Sequence, residues 1–142
     1  MPIVIDAWNF IRDRSSPIRD EGHDYLKPAR TLISYLADFQ ATHNDPVIVV
    51  FDSKNEYLEI DYRNTPKLKV VPTRNADEYI KRYIDGVPER QRRNVRVVSS
   101  DNDVFYYAKS SYATPLKCSE FWDKLCFAEG EPGCRHQHLD KK

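Results

Sequence analysis

Three hydrophobic runs of this chain each finish on an aspartate: Ile3-Val4-Ile5-Asp6, Val47-Ile48-Val49-Val50-Phe51-Asp52 and Val95-Arg96-Val97-Val98-Ser99-Ser100-Asp101. If the runs are strands of one parallel sheet, three carboxylates reach its C-terminal edge, where open α/β sheets hold ligands, above all where the strand order reverses. Carboxylates crowded there repel one another unless a hard cation compensates. Asp77 and Glu78 open a helix whose N-terminus should face the same edge, where the helix dipole tolerates negative charge. Asp103, two residues past Asp101, is placed to lean into the cluster or to make an outer contact. An oxygen-only set of this kind suits Mg²⁺ or Mn²⁺ and lacks the histidine and cysteine of a zinc site. With a phosphodiester, its chemistry is metal-assisted hydrolysis, two ions about 4 Å apart activating water and stabilising the leaving oxygen. No protein nucleophile is needed, and no Ser-His-Asp or Cys-His arrangement competes; His23 and His43 sit in a loop and at a helix end.

Plainer explanations compete for single residues. Asp101 would serve equally as the cap of the helix beside it. Glu78 is fully accounted for as the reciprocal partner of Asn75 in a capping box. Asn9 either holds its own loop or hydrogen-bonds a substrate phosphate. Asp6 and Asp52 resist the capping reading, because long loops are expected to follow both.

The elements that would position these residues follow from periodicity. Residues 2–6 and 47–52 read as buried strands bounded by Pro2 and Pro46. Pro28 suits the first turn of a helix running to about Thr42, with Leu32, Ile33, Leu36, Ala37 and Phe39 as its apolar stripe. A short strand near Leu68–Val71 precedes a helix capped by Asn75 that stops around Gly86-Val87-Pro88. A strand over 95–99 turns tightly into a helix over about Val104–Lys109. A strand near Ala113–Leu116 and a helix from Ser119, its expected cap, to Phe127 complete the series. Alternating strands and helices imply a parallel sheet with right-handed crossovers. Residues 11–27 and 53–67 read as polar loops.

At 142 residues the chain fits one domain, expected over 1–128, with 129–142 a polar tail too poor in apolar residues to pack alone. Twenty-two basic residues balance 22 acidic ones, so net charge gives no general argument for a nucleic-acid partner. No apolar stretch approaches a membrane span, a chain without a secretory leader is expected, and three cysteines suit a reducing cytosol better than a disulfide framework. Cys118 and Cys126 read as ordinary buried thiols. Cys134, His136 and His138, with Cys126 upstream, hold enough donors for a small zinc site at a non-standard spacing.

In order and context these segments resemble a known pattern. The chain looks like a member of the YacP-like branch of the NYN nucleases, within the PIN-like superfamily. The family's Asp-Gly-Tyr-Asn opening appears as Asp6-Ala7-Trp8-Asn9, and its Val-Phe-Asp strand end as Val50-Phe51-Asp52. Its Thr-Ala-Asp-Asp-Tyr-Ile helix start appears as Asn75-Ala76-Asp77-Glu78-Tyr79-Ile80. Its Val-Thr-Ser-Asp turn appears as Val98-Ser99-Ser100-Asp101, with Asp103 matching a further aspartate, and Cys118-Ser119-Glu120-Phe121 matches its last helix start. Ala7 and Trp8 stand where the family carries glycine and tyrosine.

The resemblance implies a three-layer α/β PIN-like domain, with a central parallel sheet ordered 3-2-1-4-5, and metal-dependent endoribonuclease activity. It carries Asp6, Asp52, Asp77 and Asp101 over as catalytic carboxylates, which with Asp103 would ligate Mg²⁺ or Mn²⁺. Asn9, Glu78 and Asp103 would support them. Trp8 would stack on a base or fill core. An acidic centre repels a polyanion unless cations flank it; Arg12, Arg14, Arg19 and Lys54 leave the C-terminal edge and suit phosphates there. Tyr57, Tyr62 and Arg63 offer stacking and charge in the second loop. The Arg90–Arg96 cluster should fall at the opposite edge, as a solvated loop or a surface for RNA or ribosome. Rival readings are a DNA or flap nuclease, a phosphatase or receiver domain (for which a well-placed lysine is missing), and a non-catalytic or partner-dependent RNA- or ribosome-binding adaptor. No membrane partner is expected.

Overall fold

The structure, a computed structural model, describes residues 1–19 and 26–129. Five strands run β1 (Ile3–Asp6), β2 (Val47–Asp52), β3 (Leu68–Thr73), β4 (Arg96–Val98) and β5 (Thr114–Leu116). They form one sheet in the order β3-β2-β1-β4-β5, every neighbouring pair parallel. The helices are α1 (Ala7–Arg12), α2 (Leu26–Thr42), α3 (Ala76–Gly86), α4 (Asn102–Ser110) and α5 (Cys118–Glu129). This is the α/β fold expected from the alternating elements, with the three layers and strand order that the family resemblance implies.

The period-2 alternation of strand side chains separates two cores. Ile3, Ile5, Val47, Val49 and Phe51 point to one face, under α1, α2 and α5; Val4, Ile48 and Val50 point to the other, under α3 and α4. The central strand β1 is buried along its whole length, which its unbroken apolar sequence requires. Both sheet-edge strands carry a proline, Pro72 and Pro115, a residue tolerated only where a ladder hydrogen bond can be forgone. The largest buried side chain, Trp122, stacks on Phe10 with ring centroids 4.1 Å apart. Its indole N–H donates to the Phe10 carbonyl at 2.8 Å, locking α5 to α1.

The expected loop after Asp6 is instead α1, which starts at the next residue. Ser119 is not the cap of α5: the helix begins at Cys118, and the Lys117 N–H meets the Glu120 carboxylate at 3.4 Å. A 3₁₀ turn over Glu89–Asn94 precedes β4. Within and just after it, Arg92 donates to the Val87 and Asp85 carbonyls, and Arg96 pairs with Asp45 at 2.9 Å. Half of the basic cluster is therefore structural, while Arg90 and Arg93 are exposed. Cys118 is a buried free thiol; Cys126 departs from expectation in being disulfide-bonded. Cys134, His136 and His138, as well as His23, lie outside the described residues, and so does the tail beyond Glu129. Among the described residues no helix is long and apolar enough to cross a membrane.

Candidate active site

At the C-terminal edge of the sheet, a cavity of about 1080 Å³ is lined by Asp6, Asp52, Asp77 and Asp101. Four different segments deliver them: the ends of β1 and β2, the first turn of α3, and the turn joining β4 to α4. Strand parity explains the convergence. Asp6 follows Val4, and Asp52 follows Ile48 and Val50, all facing the layer that holds α3. The chain builds outward from β1 through β2 to β3, then returns to the other side at β4. Asp6 and Asp101 thus flank the point where the strand order reverses.

Asp6 is only 7% exposed. Desolvation, reinforced by the charges of Asp77, Asp101 and Asp52, pushes its carboxyl up to about 7, against a smaller opposing hydrogen bond from Ser99. Asp77 is raised too, by burial first and then by Asp101 and Asp103, with Lys81 opposing. These shifts mark a group of acids that feel one another across a small space, the condition that favours a bound cation.

Asp6 occupies the N-cap position of α1, yet its side chain makes no cap hydrogen bond. The capping explanation therefore fails where a helix does follow, and the carboxylate is left to the cavity. Asp101 does both jobs: it accepts from the Asp103 N–H at 2.8 Å as the cap of α4 and lines the cavity. Asn75 caps α3 by accepting from the Glu78 N–H at 3.0 Å. The Glu78 side chain does not reach back as a capping box would; it pairs with Arg82, one turn on. Glu78 does not line the cavity. Nor does Asp103, whose carboxylate bonds Lys81 at 2.7 Å.

Asn9 ties two site loops together. Its side-chain oxygen accepts from the Ser100 N–H at 2.6 Å and the Ser100 hydroxyl at 2.8 Å. The buried Ser99 hydroxyl lies 3.3 Å from both Asp6 Oδ2 and Asn9 Oδ1, and accepts from the Asp101 N–H at 3.0 Å. Its single proton serves one acceptor at a time, so Ser99 links the state of Asp6 to the β4–α4 turn. Sequence reasoning passed over Ser99, Ser100 and Asp13. The signal for the serines was their place between a strand end and a capping aspartate. Asp13, also a lining residue, accepts from Ser15 N at 3.0 Å.

Trp8 is a partly buried residue packed against the core. It packs edge-on against Phe51 at 5.2 Å, donates from its indole to the Asp52 carbonyl at 3.0 Å, and still borders the cavity. The Arg12 guanidinium lies 5.4 Å from the Trp8 ring centre. Arg12, Arg14, Lys54 and Tyr57 line the cavity; Arg19, Tyr62 and Arg63 do not. Ala7 is helical, with no positive φ, so replacing a glycine there introduces no strain.

Among the described residues no three carboxylate, histidine or cysteine groups converge as a ready-made metal-ligand set. All four cavity aspartates offer hard oxygen donors, and Mg²⁺ commonly binds through one or two carboxylates while keeping its waters. The donor chemistry fits a hydrated Mg²⁺ or Mn²⁺ better than a caged ion.

A family model described as the YacP-like NYN domain matches residues 3–138. Two crystal structures of Rae1 (YacP) from Bacillus subtilis share the fold. A tryptophan-to-leucine variant is 19% identical with a TM-score of 0.72, the match covering 99% of this chain and 84% of that one. The second is 18% identical with a TM-score of 0.71, covering 99% and 82%. No curated protein matches the chain.

Proposed function

The chain belongs to the YacP-like NYN domain family, related to the PIN-like nucleases, and from that premise we propose that it is a divalent-metal-dependent endoribonuclease. The observation that carries the reading is the meeting of Asp6, Asp52, Asp77 and Asp101 around one cavity whose rim carries Arg12, Arg14 and Lys54. The acids would hold Mg²⁺ or Mn²⁺, with Asp103 and Glu78 as outer charges beside Lys81 and Arg82. When bound, the metal supplies an activated water and neutralises charge building on the phosphoryl group. The rest belongs to the chain. Arg12, Arg14 and Lys54 draw the phosphate backbone toward an otherwise repulsive centre. The Trp8 ring offers a face beside Arg12 on which a base can stack. Asn9 and Ser99 hold the β1 and β4 loops in register, so Asp6 and Asp101 keep their spacing. Burial and the neighbouring acids raise the Asp6 carboxyl to about 7, and a bound cation would favour its charged form.

The catalytic domain is proposed to span residues 1–128. Action on intracellular RNA, with or without a ribosome, belongs to the same proposal. The test is incubation of a mixed RNA pool, and a DNA pool of the same sequences, with wild type and Asp101→Asn. Each is run with Mg²⁺, Mn²⁺ or chelator. Asparagine is as good an N-cap as aspartate, so this variant removes the charge while α4 keeps its start. Metal-dependent RNA cutting that disappears in the variant is expected. RNA binding without cutting under any condition would favour the adaptor, and preferential DNA cutting the flap-nuclease reading.

A further inference from the structure

A second, smaller cavity of about 310 Å³ adjoins the first, and Asp13 and Ser100 line both. Its outer wall is aromatic. Phe105 and Tyr106 meet edge to face, their centroids 5.7 Å apart at 83°, and Tyr106 is 62% exposed. Lys117 lines it as well, and so do Asn102 and Cys118, the first residues of α4 and α5. An exposed aromatic ring is a stacking platform for bases of any sequence, and Lys117, the one cation of the lining against the single acid Asp13, offers a contact for a phosphate. The volume sits at the lower end of the roughly 300–1,000 Å³ usual for small-ligand sites, which suits one nucleotide and not a duplex.

We propose that this groove between the starts of α4 and α5 is a subsite for one nucleotide of single-stranded RNA, adjacent to the nucleotide at the carboxylates. The base lies against Tyr106 and Phe105 and its phosphate faces Lys117. The inference rests on the ribonuclease reading and adds a direction to it: the strand crosses the Ser100 rim from the main cavity toward α4. Neither carboxylate chemistry nor the Arg12 side of the cavity requires such a platform. A chain cleaved only by attraction to Arg12, Arg14 and Lys54 would ignore it.

The test measures binding of a fluorescein-labelled single-stranded RNA to full-length protein in the Asp101→Asn background, then photocrosslinking with thiouridine-substituted RNA. Tyr106→Ala is expected to weaken binding roughly 10-fold, while Tyr106→Phe, which keeps the ring, binds like the parent. Lys117→Ala is expected to flatten the dependence of log affinity on log salt by about 0.7, one phosphate contact on a single strand. Crosslinks should map to Phe105 and Tyr106. Parental affinity in both alanine variants, with crosslinks elsewhere, would overturn the subsite and leave the ribonuclease reading standing. Absence of both RNA binding and RNA cleavage in the wild type would overturn the two together.

Discussion

Asp6 shows at the scale of one residue why this site is held at a disadvantage to the fold. Its folded carboxyl is raised to about 7 from the ordinary 3.8. Between those values the native state binds more protons than the unfolded one, so stability falls as pH rises through the window and is fully diminished above about 7. Asp6→Asn removes the titration while keeping an oxygen for Ser99. At about pH 8 without divalent metal, the variant should be more stable than wild type by on the order of 2–4 kcal/mol, the gap closing toward about pH 4. Urea unfolding checks this, and a variant no more stable than wild type at the higher pH would show that Asp6 is not a strained acid. The acids themselves were legible in the sequence because three of them end apolar runs and Asp77 opens a helix just past its cap. The network around them was not: that Asn9 grips Ser100, and that Ser99 spans Asp6 and Asp101, depends on β1 and β4 being neighbours. Glu78 had two local partners in the sequence, the capping-box backbone and Arg82 one turn on, and the structure pairs it with Arg82.

At the scale of elements, the site depends on short helices seated at strand ends. β1, β2 and α2 were legible because Val- and Ile-rich runs bounded by proline, and an apolar stripe after Pro28, are strong local signals. α1 was not, since its six residues directly follow a strand and run into a stretch from residue 11 that reads as polar loop. Such a helix is too short to persist unaided and is held by tertiary packing. Phe10 supplies that packing through its stack with Trp122 and the 2.8 Å bond from the indole to its carbonyl. Trp122→Phe keeps an aromatic ring but removes the donor and leaves a smaller core side chain. It should destabilise the fold by about 1–3 kcal/mol, read as a lowered urea midpoint. An unchanged midpoint would mean that α1 is anchored some other way. The start of α5 was misplaced by a single residue for a similar reason: Ser119 is a good cap, but Cys118 is already helical and packed in the core.

Across the whole molecule, a chain with no net charge must bind a polyanion through local charge alone. The arginines divide between the two ends of the sheet. Arg12 and Arg14 line the acidic cavity, whereas Arg92 and Arg96 are engaged with carbonyls and with Asp45 at the entrance to β4. Replacing Arg12 and Arg14 together with alanine should weaken single-stranded RNA binding and flatten its salt dependence by about 1.4 in log–log slope, with the thermal midpoint little changed. Replacing the exposed Arg90 and Arg93 should leave both quantities unaltered, and the reverse pattern would move the RNA to the opposite edge. The central claim, that four carboxylates from four segments act as one metal-dependent centre, is tested most directly by Mg²⁺-dependent cleavage of a single RNA. Wild type and the Asp6→Asn, Asp52→Asn, Asp77→Asn and Asp101→Asn variants would be compared in that one assay. Each variant is predicted to lose roughly 100-fold or more in rate, and pairs of substitutions to lose little beyond that, because the residues work as a unit. Wild-type rates in the four variants, or cleavage that persists in chelator, would contradict the account.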